Sequence, residues 1–182
     1  KNVVRENKDY EFKDRLAFFQ SEAQGWVNKW IESIKWTDYK LVGISVVTLT
    51  QLIPGLHLAK LIKSVSPNTL TVFGGFACHG NFGARLIEIF DQIDVVADGE
   101  GEPIIKDLAD ALEGTSDFDS INGIIHRHGE TVVRNPPQPL ITDLSSLPFP
   151  DYSDYPSSDK IEELLIEMGR GCPCGKCVFC TS

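Results

Sequence analysis

The sequence predicts an α/β fold in which helices flank a parallel sheet. Short apolar runs rich in β-branched residues alternate with helical patterns of about ten residues, which indicates crossover units between parallel strands. Apolar residues make up 42% of the chain and charged residues 24%, and both values are typical of globular proteins. The length of 182 residues is sufficient for one domain and part of a second.

The predicted elements follow one another along the chain. Apolar residues recur at a spacing of three and four over residues 12–34, which predicts a helix interrupted near Gly25. Residues 41–47 form a β-branched run without alternation, as expected for a strand buried on both faces. Further along, the patterns predict a helix at 54–65, a strand at 70–73, a helix at 84–90, a strand at 94–97 and a helix at 103–112.

The last third of the chain changes in character. Residues 123–126 and 131–133 flank a turn at 127–130 and predict a β-hairpin that closes the sheet or forms its edge. We therefore expect an α/β domain at 1–134, truncated at its amino terminus, and a proline-rich extended linker at 135–160. A strand at 163–168 begins a second, truncated domain at 161–182.

Charge and hydropathy exclude several functions. A net charge of -9 argues against a protein that binds nucleic acid through its phosphates, and against one that binds anionic membranes. Residues 41–59 carry no charge, but polar residues and Pro54 interrupt them, so we expect no membrane span. No signal peptide is recognisable at the start of this chain, and we therefore expect a cytoplasmic protein. The sequence does not indicate an oligomeric state.

Four of the five cysteines lie close together in sequence. Cys172-x4-Cys177-x2-Cys180 places three thiolates on one loop, with Cys174 as a spare. Such a group in a reducing compartment indicates metal binding rather than disulfides. The spacing suits either a tetrahedral zinc or an iron–sulfur cluster. Cys78 stands alone and is expected to be a buried thiol.

Three loops follow predicted strands and are expected to meet at one edge of the sheet. These loops are residues 45–50, 74–78 and 99–102. Ligands of open parallel sheets bind beyond the carboxyl ends of the strands, at a switch in strand order. Gly74 and Gly75 lack side chains and leave room for a bulky planar group, although a tight Gly-Gly turn explains them equally well.

The cysteine loop resembles the cluster loop of radical SAM enzymes. The residues are Gly-Arg-Gly-Cys at 169–172 and Cys-Val-Phe-Cys at 177–180, directly after a predicted strand. Radical SAM enzymes usually space these cysteines C-x3-C-x2-C, and the longer first gap here is similar to that of some peptide-maturation members. The resemblance implies that Cys172, Cys177 and Cys180 bind a 4Fe-4S cluster whose open iron chelates S-adenosylmethionine. It further implies that Phe179 lies beside the adenine.

The upstream domain resembles the cobalamin-binding domain that precedes the radical SAM barrel. The similar stretches are LVGISVVT at 41–48, VFGG at 72–75, DVVADGEGE at 94–102 and LPFPDY at 147–152. The resemblance implies a Rossmann-like, flavodoxin-like parallel sheet, followed by a linker and by the first strand and cluster loop of the barrel. The implied cobalamin contacts are Ser45, Val46, Thr48, Leu49, Gly74, Gly75, Phe76, Gly99 and Glu100. The D-x-H-x-x-G motif that supplies a histidine to cobalt in other cobalamin domains does not occur in the given sequence. Radical SAM relatives typically lack that ligand, so the resemblance implies binding without an axial histidine.

These resemblances imply the amino-terminal part of a cobalamin-dependent radical SAM enzyme. The expected reaction is methyl transfer to an unactivated carbon of a small-molecule or peptide substrate, as in natural-product or peptide maturation. No catalytic residue is expected within the chain itself. Two alternatives remain open: a radical SAM enzyme whose cobalamin domain no longer binds cobalamin, and a non-catalytic binding module stabilised by zinc.

Overall fold

The computed structural model describes residues 22, 25–152, 167 and 169–171. The predicted strand at 163–168, except Glu167, and the predicted cluster loop with Cys172, Cys174, Cys177, Phe179 and Cys180 lie outside the described residues. The chain divides into two compact units, Lys1–Leu140 and Ile141–Ser182. Within the second unit, a 3-10 turn at Leu144–Ser146 begins where the Asp143 carboxylate accepts the backbone N–H of Ser145.

The first unit contains a five-stranded mixed sheet. Its strands are β1 (Leu41–Ser45), β2 (Leu70–Gly74), β3 (Val95–Ala97), β4 (Ile124–His128) and β5 (Thr131–Arg134), and they lie side by side in that order. The first three strands are parallel, whereas β4 and β5 form an antiparallel hairpin against β3. The predicted parallel sheet and the predicted hairpin at its edge are both confirmed.

Four helices in the described part of the chain accompany the sheet. They are α1 (residues 25–32), α2 (Leu49–Val65), α3 (Gly80–Ile89) and α4 (Gly101–Leu112). The helix predicted to begin near Pro54 begins earlier, because Thr48 and Gln51 form a capping box. The side-chain carbonyl of Gln51 accepts the backbone N–H groups of Val47 and Thr48 at 2.8 and 3.1 Å. None of the described helices has the length and apolar character needed to cross a membrane.

The apolar core lies on both faces of the sheet. On one face, Phe73, Val96 and Ile125 are fully buried in a cluster to which α2 contributes Leu56 and α3 contributes Ile87. On the other face, α4 contributes Ile104 and Leu108 to a cluster with Val72, Val95 and Ile124. Burial of these side chains supplies the main free energy of folding, at about 25 cal/mol for each Å² of apolar surface.

The prediction that the first strand is buried on both faces is wrong. Gly43 and Ser45 of β1 are exposed, and the remaining residues of that strand are only partly buried. Among the described strands, β1 lies at one edge of the sheet and has a single neighbour, β2. Ile105, the α4 residue nearest to Gly43, is itself 42% exposed and covers the strand incompletely.

The hairpin turn is shorter than predicted. Arg127 and His128 belong to β4, and His128 pairs with Thr131, so that only Gly129 and Glu130 form the turn. Gly129 has a φ of +63° and Glu130 does not have a positive φ, as in a type II′ turn, whose first central residue is usually glycine.

The first residues of the predicted linker pack onto the sheet unit. The Asn135 amide donates to the carbonyls of Phe118 and Ile121 at 2.7 and 2.8 Å. The carbonyl of Pro136 accepts the backbone N–H of Gly123 at 2.7 Å. These bonds hold the chain against the start of β4 after β5 has ended.

Candidate functional site

A cavity of about 390 Å³ opens at the carboxyl ends of the three parallel strands. It is lined by Gly43, Ile44 and Ser45 of β1, Val72 and Gly74 of β2 with Gly75 after it, Ala97 and Gly99 at the end of β3, and Gly101 and Ile105 of α4. This volume lies within the range of about 300–1,000 Å³ that is usual for small-molecule sites. We call this feature the strand-end cavity.

The strand-end cavity lies where the sequence predicted that three loops would meet. The described strands follow one another consecutively, so the expected switch in strand order is not found among them. Parallel direction alone brings the ends of β1, β2 and β3 to one edge.

Missing side chains create much of the cavity. A Cβ atom built on Gly43 would lie 3.7 Å from Cδ1 of Ile105, and one built on Gly74 would lie 3.4 Å from Cβ of Ala97. A Cβ atom on Gly101 would meet no atom within 4 Å. Larger residues at these positions would therefore enter the cavity or its mouth without requiring the backbone to move.

Gly75 has a different role from Gly74. Its φ is +93°, and a Cβ atom there would lie 2.8 Å from the carbonyl oxygen of Val46. That oxygen also accepts the backbone N–H of Ala77 at 3.0 Å. Gly75 is therefore required by the tight turn itself, which is the alternative that the sequence left open, in addition to lining the cavity.

The other predicted cobalamin contacts are distributed over the same edge. Ser45, Gly74, Gly75 and Gly99 line the cavity. Thr48 and Glu100 are the N-cap residues of α2 and α4. The side chain of Val46, by contrast, is fully buried in the core against α2 and α3, so only its backbone is at this edge.

Exposed apolar side chains also follow the strand ends. Val47, Leu49 and Phe76 are 53%, 64% and 59% exposed, and they belong to the segments directly after β1 and β2. Large apolar residues exposed beside a cavity are typical of sites for organic ligands. Leu49 and Phe76 were among the predicted contacts.

Several cavity residues were not predicted from the sequence. Gly43 lies two residues before Ser45 on β1, so the two residues share a face of the sheet. The two-residue period of a strand could therefore have indicated Gly43 as a cavity residue. Ile105 reaches the cavity because α4 crosses back over the sheet, and no local pattern indicates which residue of α4 faces that edge. Gly101 lies in the loop at 99–102 that was predicted to meet there.

The described residues contain no group of three or more His, Cys, Asp or Glu side chains arranged to hold a metal ion. The predicted ligands Cys172, Cys177 and Cys180 lie outside these residues. The one cysteine that the structure describes, Cys78, is fully buried in the core, and burial raises the pKa of its thiol to about 11. The expectation of a buried thiol at this position is confirmed.

Curated relatives resemble this chain in sequence. An uncharacterized methyltransferase of Pyrococcus horikoshii is 32% identical over an alignment of 189 residues, which covers 100% of this chain and 39% of the relative. The cobalamin-dependent radical SAM methyltransferase TokK of Streptomyces tokunonensis is 32% identical over 134 residues, covering 69% of this chain and 19% of TokK. The chain thus spans well under half the length of these relatives. No protein-family model matches it.

A solved structure shares the fold. The cobalamin-dependent S-adenosylmethionine radical enzyme OxsB, solved with aqua-cobalamin and S-adenosylmethionine bound, superposes with a TM-score of 0.52 and 21% sequence identity. The superposition covers 63% of this chain and 16% of OxsB. The Rossmann-like arrangement expected from the sequence is thereby confirmed.

Proposed function

From the premise that this chain is a relative of the cobalamin-dependent radical SAM enzymes, we propose that it supplies the amino-terminal, cobalamin-binding part of such an enzyme. Cobalamin would bind at the edge of the sheet that contains the strand-end cavity, through the domain that we place at 1–134. The segment at 161–182 would begin the radical SAM domain, with residues 135–160 as the linker. The cytoplasm, a reducing compartment, suits both cobalamin and the proposed 4Fe-4S cluster.

The observation that carries this proposal is the glycine-lined cavity at the ends of β1, β2 and β3. Its lining includes Ser45, Gly74, Gly75 and Gly99, which the sequence resemblance independently assigns to cobalamin. Residues from three separate stretches of sequence therefore converge on one space.

The cavity fits a part of cobalamin rather than the whole molecule. A space of about 390 Å³ accommodates one arm of the cofactor, while the corrin ring would extend over the strand ends. The apolar lining residues Ile44, Val72, Ala97 and Ile105 suit an apolar part of the cofactor. When bound, cobalamin and the cluster would supply methyl-transfer and radical chemistry, respectively, and the residues of this chain would bind and orient them.

Equilibrium dialysis of the protein against hydroxocobalamin, followed by its visible absorption, tests the cobalamin site. We expect saturable binding of one equivalent and the spectrum of cobalamin without an imidazole ligand. Absence of binding would contradict the proposal and favour a domain that has kept the fold and lost the cofactor.

Three thiolates are proposed as the cluster ligands. Cys172, Cys177 and Cys180 are the ligands that the resemblance implies, although the first gap is one residue longer than the usual one, and one iron of a 4Fe-4S cluster must remain open for S-adenosylmethionine. Cys174 would leave two residues before Cys177, and Pro173 stiffens the chain between the two candidates for the first ligand. Phe179 is proposed to contact the adenine.

Reconstitution with iron and sulfide distinguishes these thiolates. Cys174→Ala should retain the absorption and electron paramagnetic resonance of a 4Fe-4S cluster, whereas Cys172→Ala should lose both. The reverse pattern would show that Cys174 is the first ligand. One zinc per chain, without iron or sulfide, would favour the zinc-stabilised binding module.

Methyl transfer to an unactivated carbon is the proposed reaction of the whole enzyme. The methyltransferase names of the Pyrococcus and Streptomyces relatives support the reaction type. The small-molecule or peptide nature of the substrate rests on the resemblance alone. Release of S-adenosylhomocysteine together with a methylated product, measured by mass spectrometry, would test the reaction once a substrate is in hand.

A further inference from the structure

Asp98 is a buried carboxylate at the end of β3. Its side chain is 6% exposed. One carboxylate oxygen lies 2.5 Å from the guanidinium of Arg134, and the other accepts the backbone N–H of Gly80 at 2.8 Å. Burial of a carboxylate is unfavourable unless it is paired and hydrogen-bonded, and these contacts meet that requirement.

The same carboxylate orients the imidazole of His79. Nδ1 of His79 lies 2.7 Å from Oδ1 of Asp98. In the neutral imidazole, a carboxylate at this distance favours the proton on Nδ1, and Nε2 is then a hydrogen-bond acceptor. The His79 side chain is 59% exposed, and within the described part of the chain Nε2 has no hydrogen-bond partner. Histidines that bind metals or other ligands are commonly oriented in this way by a carboxylate.

The His79–Asp98 pair adjoins the strand-end cavity. His79 follows the cavity residue Gly75 by a single 3-10 turn, Phe76–Cys78, and Asp98 directly precedes the cavity residue Gly99. A ligand that fills the cavity and extends over the strand ends would pass the segments after β2 and β3, which carry His79 and Asp98.

We infer that Nε2 of His79 accepts a hydrogen bond from a carboxamide on the part of cobalamin that projects from the cavity, with Asp98 as the positioning residue. This inference rests on the proposed function. In this inference His79 is a hydrogen-bond partner at the edge of the cofactor and is not a ligand of cobalt. Arg134 would act through Asp98 by holding the carboxylate that orients the ring.

The affinity of four variants for hydroxocobalamin tests this inference. The variants are His79→Ala, His79→Gln, Asp98→Asn and, as a control, His128→Ala; His128 is 67% exposed on the hairpin. We expect His79→Ala to raise the dissociation constant about tenfold, the equivalent of one good hydrogen bond. Because the Gln amide oxygen can accept the same hydrogen bond, His79→Gln should restore part of the affinity at an unchanged thermal midpoint. Asp98→Asn should raise the constant less, and His128→Ala should not change it.

The outcomes separate this inference from the proposed function. Equal affinities of the wild type and His79→Ala would overturn the inference and leave cobalamin binding in place. An imidazole-coordinated spectrum in the wild type that disappears in His79→Ala would overturn the hydrogen-bonding role, because His79 would then be a cobalt ligand. Absence of binding by the wild-type protein would overturn both.

Discussion

The two faces of the sheet are packed differently, although the same three parallel strands contribute to both. Against α2 and α3, Phe73 and Val96 are fully buried in the core. Against α4, Gly43 and the partly exposed Ile105 leave the strand-end cavity open. Both faces therefore supply stability, and the face against α4, called the open face, also leaves room for a ligand at the strand ends. The face against α2 and α3 is called the closed face. The comparison implies that the two properties can be changed separately.

The largest effect is expected on the closed face. Phe73→Ala removes a fully buried ring and should lower the free energy of unfolding by about 3–5 kcal/mol. Ile105→Ala on the open face should cost about 1 kcal/mol or less, because that side chain is already 42% exposed. Urea denaturation of both variants checks the difference. Equal losses would contradict the distinction between the faces.

Gly75 should be the next most sensitive position. An alanine there has both an unfavourable φ of +93° and a Cβ atom 2.8 Å from a backbone oxygen. The matched variant is Gly114→Ala, where φ is +79° but no atom lies within 4 Å of the Cβ position. We expect Gly114→Ala to cost about 1–2 kcal/mol in unfolding free energy and Gly75→Ala clearly more. If the two costs were equal, the close contact with Val46 would be unimportant.

Gly101 offers a way to fill the open face without disturbing the closed one. Gly101→Leu places a side chain at the cavity in a helical position with free space around Cβ, so stability should be unchanged or rise by up to about 1 kcal/mol. Cobalamin affinity should fall about tenfold or more. Gly25→Leu is the control, since Gly25 is also helical and open but does not line the cavity. Loss of affinity in the control alone would contradict the assignment.

The smallest effect concerns Cys78 on the closed face. Burial raises the pKa of its thiol from the usual 9.0 to about 11, so the folded state holds the proton more tightly than the unfolded state. The stability that the protonated thiol contributes to the folded state is complete below pH 9 and is lost as the pH rises toward 11. We expect the free energy of unfolding to fall by about 1 kcal/mol more between pH 8 and pH 10 in the wild type than in Cys78→Ala. Parallel pH dependences would show that the thiol does not contribute.

Local patterns in the sequence predicted the alternating strands and helices, and with them the edge at which three loops meet. The start of α2 is also indicated by Thr48 and Gln51, which have the spacing of a capping box. The sequence does not indicate the contribution of Ile105 to the cavity or the pairing of His79 with Asp98. Both depend on which elements lie next to each other in the folded chain, and neither leaves a periodic signal. The exposure of β1 was missed for the same reason, since an apolar run does not reveal how many neighbours a strand has.

Amide hydrogen exchange with and without hydroxocobalamin tests the central claim, that cobalamin binds at the edge of the sheet containing the strand-end cavity. Binding should slow exchange in residues 43–49, 74–80 and 99–105, which form that edge, and should leave the hairpin at 124–134 unchanged. Protection confined to the hairpin, or saturable binding without protection of any of the three loops, would contradict the account.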